Sequence, residues 1–254
     1  MKNDLELKLI LIVTRNLPLL RGAGVISNFL KNIYNRKPRE HVFTDHKNIR
    51  FFLPTQSEFL FVPQIRDHNE IKYIKSVLKE QDIFVDIGAN MGFYSLMAAQ
   101  IVGPLGKILS IEADNDNYYF LQKNIELNNF SQIYAINKAV TNKKEKKMFY
   151  KNINNNELSS FVKLDDAIPY TVDCDTLLNL LTEHKLSVVN FLKIDAEGYD
   201  HRILTSFFNG AHSFVYPKYI MVENDESLES SNLLTANKYI IVFHNKNNTI
   251  FCKS

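Results

Sequence analysis

The chain has 254 residues, 45% hydrophobic and 12% aromatic, with 30 basic against 28 acidic side chains and a formal charge of +2. That length and composition fit one α/β domain with an appendage and exclude a chain disordered throughout. The near-neutral charge lacks the basic footprint of a dedicated nucleic-acid binder, so no nucleic-acid partner is expected. Two cysteines, Cys174 and Cys252, cannot build a disulfide scaffold or a four-cysteine zinc site, and a reduced, cytoplasmic setting is expected.

Near the start, Leu9-Ile10-Leu11-Ile12-Val13 lies between Lys8 and Arg15. It is far short of the ~20 apolar residues that a transmembrane segment needs. Glu6 ahead of it, with no small-residue cleavage pattern behind, opposes a signal peptide. Val25, Ile26, Phe29, Leu30 and Ile33 fall at helical spacing, an amphipathic helix ended by Pro38. Ile49-Arg50-Phe51-Phe52-Leu53 and Glu58-Phe59-Leu60-Phe61-Val62 flank Pro54-Thr55-Gln56-Ser57 and read as a β-hairpin. Residues 1–63 therefore form an N-terminal accessory region of helix and hairpin, ahead of a main domain over residues 64–254. The accessory region is expected to cover a crevice or to build a homodimer contact.

Asp67 and Glu70 open a helix carrying Ile71, Ile74, Val77 and Leu78. Strand and helix signals then alternate. Residues 83–87 are a buried strand, 94–101 a helix, 107–111 a strand, 115–128 a helix and 132–135 a strand. Residues 147–150 read as a short edge strand, and Lys143-Lys144-Glu145-Lys146-Lys147 as a solvated turn. Asp175 is the expected cap of a Leu-rich helix that ends near His184 and Lys185. Residues 189–194 are a strand, and 199–208 a helix stopped by Asn209-Gly210. Strands follow at 219–223, 239–243 and 249–252, the last two joined by the polar turn 244–248 and hence antiparallel. Alternating βα units imply a mostly parallel sheet with helices on both faces, closed by an antiparallel hairpin.

Three strand ends carry chemistry. Phe84-Val85-Asp86-Ile87-Gly88-Ala89-Asn90-Met91-Gly92 delivers Asp86 to the end of an apolar strand. Gly88 and Gly92 permit a tight turn and close approach of a ligand to backbone, at the start of a helix. The G-x-G-x-x-G order of the dinucleotide fingerprint and the Gly-Lys-Ser/Thr of a P-loop are both missing. One βα unit later, Leu109-Ser110-Ile111 ends in Glu112, placed to accept hydrogen bonds from ribose hydroxyls. Asn190-Phe191-Leu192-Lys193-Ile194-Asp195-Ala196-Glu197-Gly198 ends a third strand in two carboxylates and an abrupt turn. Helix capping by Asp195 or Asp200 is the structural alternative there.

With these segments, Ala139-Val140 and Val172-Asp173-Cys174-Asp175-Thr176-Leu177-Leu178, residues 83–223 resemble the FkbM family of S-adenosylmethionine-dependent methyltransferases. The paired D-I-G-A-N-x-G and K-I-D-x-E-G motifs carry most of the resemblance. Ile111-Glu112-Ala113-Asp114 departs from it, since the family more often shows an aromatic residue, Glu and Pro. The resemblance implies a Rossmann-like class I methyltransferase fold with a seven-stranded sheet. It implies S-adenosylmethionine as cofactor, with Asp86, Gly88, Ala89, Asn90 and Gly92 around its methionine part and Glu112 on its ribose. The segment at Lys138 and Ala139 would border the adenine, and Asp195 would face the methyl group.

The expected reaction is O-methylation of a hydroxyl on a small molecule or carbohydrate, for which a base within about 2.6–3.2 Å of the acceptor's proton helps. Asp195, Glu197 and His201 are the candidates for that base, with His68 and Glu223 behind them. A Mg²⁺ site from Asp195 with Asn224 or Asp225 is a minor alternative, and no metal is assigned. Two rivals remain open: a non-catalytic cofactor-binding or scaffold protein of the same fold, and an NAD-type oxidoreductase. A base-modifying nucleic-acid enzyme is opposed by the missing Asn/Asp-Pro-Pro-aromatic tetrad.

Overall fold

A short buried strand followed by a glycine-bearing turn seeds the sheet. β3 (Ile83–Ile87) is apolar apart from Asp86, and four of its five residues are buried. The computed structural model describes residues 41–44, 48–53, 68–151, 161, 167–196, 198–224 and 227–254. These fall into two compact units, Met1–Ile74 and Lys75–Ser254.

In the first unit β1 (His41–Thr44) pairs antiparallel with β2 (Arg50–Leu53). The strand expected at 49–53 is therefore present over Arg50–Leu53, and its described partner precedes it in the chain. The expected partner at 58–62 lies outside the described residues, as do the stretch 9–13 and the helix at 25–33. α1 (His68–Val77) carries the apolar spacing expected of it.

The second unit is built on a seven-stranded sheet. Its members are β3, β4 (Lys107–Glu112), β5 (Ile133–Asn137), β9 (Phe191–Ile194), β10 (Tyr219–Glu223), β11 (Tyr239–His244) and β12 (Asn248–Lys253), in the spatial order β11-β12-β10-β9-β3-β4-β5. The pairs from β10 to β5 are parallel, while β12 runs antiparallel to both β10 and β11. The expected seven strands and antiparallel closing hairpin are therefore present, with β12 inserted between β10 and β11.

Period-two alternation gives the sheet two different faces. Val85, Ile87, Leu109, Ile111, Leu192, Ile194 and Ile220 point into a core completed by α4 (Leu177–Glu183), α5 (Asp200–Gly210) and α6 (Glu229–Ala236). On the other face, Phe84 stacks on Phe191 at 5.3 Å. α2 (Phe93–Val102) covers that face beside α3 (Asn115–Asn128), so helices lie on both sides.

A separate three-stranded sheet, in the order β6-β8-β7, comprises β6 (Ala139–Thr141), β7 (Glu145–Lys151) and β8 (Ile168–Thr176). The solvated turn expected at 143–147 is corrected here, because Glu145, Lys146 and Lys147 belong to β7. Lys147 is half-buried, because its side chain lies between aromatic rings. The cap of α4 is also one residue later than expected. Thr176 Oγ1 accepts the Asn179 N–H at 3.2 Å, while Asp175 is occupied by the Thr176 N–H and the Asn179 amide. Asn209 and Gly210, expected to stop α5, form its last turn. Among the described residues, no helix is long and apolar enough to cross a membrane.

Candidate active site

The C-terminal ends of β3, β4 and β9 meet at one edge, because all three strands are parallel and adjacent. The turn after β3 is fixed from both sides. Gly88 N–H and Ala89 N–H both donate to Ile111 O at 3.0 Å, and Gly92 N–H closes the turn on Ala89 O at 2.8 Å. Asn124 of α3 donates to Met91 O at 2.9 Å.

Gly88 has φ +71, and a Cβ there would lie 1.9 Å from Asp195 O. A glycine is therefore required by both backbone conformation and space. Gly92 has φ +93, and a Cβ there would lie 2.6 Å from the end of the Leu121 side chain, so its backbone conformation is the main demand for glycine.

Glu112 is buried at the end of β4, with both carboxylate oxygens engaged. Oε2 accepts the Asn90 N–H at 2.8 Å and Oε1 the Asp114 N–H at 2.8 Å. Each oxygen keeps a second lone pair. Burial pushes this carboxyl up to about 7, against the two N–H donors that favour its charged form. Asp114, where the sequence departs from the family pattern, caps α3 by accepting the Asp116 and Asn117 N–H groups. Its other oxygen accepts the Tyr170 hydroxyl at 3.1 Å.

Asp86 does not point into open space. Its Oδ2 accepts the Ser95 hydroxyl at 2.6 Å, and Ser95 Oγ lies 2.7 Å from Ser110 Oγ. Its Oδ1 faces the ammonium of Lys193 at 3.5 Å. Lys193, only 3% exposed, also donates to Asp195 Oδ2 at 3.2 Å and to Gly88 O at 3.3 Å. Burial disfavours its charge, but Asp195 and Asp86 prevail and hold the ammonium above its ordinary range.

Lys193 ties the first and third motifs together and was not singled out from the sequence. The signal was present: a lysine within an otherwise apolar central strand needs a buried counter-ion. Cross-strand register then places it opposite Asp86.

Of the three base candidates, Asp195 sits at this edge with 42% of its side chain exposed. Glu197 lies outside the described residues. His201, in the first turn of α5, contacts Thr205 Oγ1 at 3.3 Å and has no described contact with Asp195 or Lys193. Ala139 is buried with Phe149, Val172 and Cys174, which leaves only its backbone to border a ligand.

Asp200 is buried and accepts the Ala196 N–H at 2.9 Å. Burial pushes its carboxyl up to about 7, against that N–H, with Asp195 and Glu223 adding to the rise. Asn224 is committed to the closing hairpin, accepting from Thr249 Oγ1 at 2.6 Å and donating to Asn245 O at 2.7 Å. Asp225 lies outside the described residues. Among the described residues, no three His, Cys, Asp or Glu side chains are grouped as metal ligands.

Glu112 and Asp200 are expected to titrate near pH 7 in carboxyl-carbon NMR, whereas midpoints near 4 would contradict the burial described here. Folded values above the unfolded ones mean that the native state holds these protons more tightly. Their contribution to stability is complete below about pH 4 and is lost as pH rises through about 7.

Residues 86–236, more than half of the chain, match the Methyltransferase FkbM domain. A comparison with curated proteins finds no match. Among solved structures, the methyltransferase FkbM from Methylobacillus flagellatus KT is similar at 14% identity and TM-score 0.47, over 91% of this chain and 60% of that one. M. jannaschii TYW2, solved in complex with AdoMet, is similar at 13% identity and TM-score 0.47, over 86% and 88%. Precorrin-6y C5,15-methyltransferase from Geobacter metallireducens GS-15 is similar at 14% identity and TM-score 0.45, over 73% and 87%. By its domain match, this chain belongs to the FkbM methyltransferase family.

Proposed function

We propose that this protein binds S-adenosylmethionine at the β3–β4 edge and directs methyl transfer to a hydroxyl on a small molecule or carbohydrate. The observation that carries the proposal is the joining of Glu112 to the glycine turn through the Asn90 N–H. A carboxylate at that position holds the turn and retains lone pairs for two ribose hydroxyls. The two glycines let the turn pack against the Asp195 backbone and Leu121, which fixes its backbone at the end of β3 for the methionine part of the cofactor.

Bound S-adenosylmethionine supplies an activated methyl group to the acceptor oxygen. The chain's part is to align the partners and to receive a proton. Asp195 is a partly exposed carboxylate at that edge, and Lys193 donates a hydrogen bond to its Oδ2. A base held by a buried ammonium keeps its orientation.

Titration calorimetry with S-adenosylhomocysteine tests the proposal. Saturable binding is expected, weakened on the order of tenfold to a hundredfold in Glu112→Ala by loss of hydrogen bonds to a charged group. Circular dichroism would establish that the variant remains folded. No binding by the intact protein at millimolar ligand would overturn the assignment.

A further inference from the structure

Two cations converge on one tyrosine beside the candidate active site. Tyr199 follows the turn after β9, and its hydroxyl accepts a hydrogen bond from Lys147 of β7. The Lys147 ammonium lies 4.5 Å from the centroid of the Tyr199 ring and 4.5 Å from that of Phe161. The Arg202 guanidinium lies 5.2 Å from the Tyr199 ring. Phe161 and Tyr199 pack together with centroids 4.7 Å apart.

The other lysines of the same run are paired: Lys143 with Glu145, Lys144 with Asp175 and Lys146 with Asp173. Among the described residues, neither Lys147 nor Arg202 forms an ion pair with a carboxylate. The aromatic faces attract each cation weakly and neutralise neither. A carboxylate or phosphate beside Tyr199 would supply that counter-charge.

Arg202 also stands at a groove on the outer side of α5, with a volume of about 540 Å³. Asn142, His201, Thr205, Ser206 and Asn209 line it with it. This volume lies within the ~300–1,000 Å³ range of small-molecule sites. The lining offers hydroxyls, carboxamides and an imidazole, the groups that recognise a polyhydroxylated ligand. His201 Nδ1 is buried without a hydrogen-bond partner.

We infer that the methyl acceptor is an acidic carbohydrate. Its carboxylate or phosphate is held by Lys147 and Arg202 beside Tyr199, and its hydroxyls lie along the α5 groove. The inference rests on the methyltransferase assignment above and adds the acceptor's class and its binding residues.

Saturation-transfer NMR with glucuronate, glucose 6-phosphate and glucose tests it on the full chain, beside calorimetry with S-adenosylhomocysteine. At least one acidic sugar is expected to bind more tightly than glucose. Arg202→Glu and Lys147→Gln should each weaken that binding by about tenfold or more, as expected for lost charge-assisted contacts, with S-adenosylhomocysteine affinity unchanged. The preference between the two acidic probes identifies a carboxylate or a phosphate as the bound group. Wild-type protein that binds neither acidic sugar more tightly than glucose would overturn the inference, as would acidic-sugar binding unaffected by either substitution. Failure of the sugar arm with intact S-adenosylhomocysteine binding removes this acceptor site alone. Absent S-adenosylhomocysteine binding instead removes the methyltransferase assignment.

Discussion

Lys193→Met is expected to cost about 3–5 kcal/mol of stability, the range for breaking a buried ion pair by removing one partner. Methionine nearly preserves the volume, so packing loss is small and the electrostatic loss dominates. Asp86 would keep its Ser95 hydrogen bond but lose the ammonium at 3.5 Å. Burial already raises the Asp86 carboxyl, with Lys193 opposing that rise. Without Lys193 it rises further, so the deficit is greatest at neutral pH and shrinks as acid protonates Asp86.

Urea denaturation measures this directly. Adding Asp86→Asn to Lys193→Met should recover part of the loss, because the uncompensated buried charge is then gone. A loss below about 1 kcal/mol in the single variant, typical of exposed pairs, would contradict the buried network.

Gly88→Val is expected to abolish cofactor-product binding, with affinity falling by at least about a hundredfold. Its Cβ would meet Asp195 O at 1.9 Å, in a backbone conformation that valine disfavours. Neither side can readily retreat. Asp195 N–H is bonded to Ile87 O at 3.1 Å, and Gly88 N–H to Ile111 O at 3.0 Å.

Gly103 provides the control, since it has a similar φ of +70 but nothing within 4 Å of an added Cβ. Gly103→Val should carry the backbone strain, roughly 1–3 kcal/mol, and leave S-adenosylhomocysteine affinity intact. Equal binding losses in both variants would show that strain alone, rather than the Gly88–Asp195 approach, controls the site.

The elements legible in the sequence were those with unambiguous ends. α3 spans the expected 115–128 because Asp114 caps it and Asn129 leaves it at φ 55. β3 is equally clear, being an apolar run stopped by a glycine turn. β8 was missed as a strand because Pro169, Asp173 and Asp175 dilute the apolar signal and its first four residues are not buried. α6 was missed because Leu228, in a left-handed conformation, precedes it without a capping side chain.

The same distinction applies at the site. Glu112 was found because a strand end after a glycine turn is a local pattern. Lys193 and Lys147 were not, because their meaning depends on partners far along the chain: Asp86 for one, Phe161 and Tyr199 for the other. His201 shows the converse: although close in sequence to Asp195, it lies in the first turn of α5 and contacts Thr205.

A crystal structure of the full chain with S-adenosylhomocysteine tests the central claim most directly. The expected result is the ligand's ribose hydroxyls on Glu112, its methionine part along the turn from Gly88 to Gly92, and its sulfur on the side of Asp195. A ligand bound elsewhere, with the Glu112 carboxylate contacting only the Asn90 and Asp114 N–H groups, would contradict it.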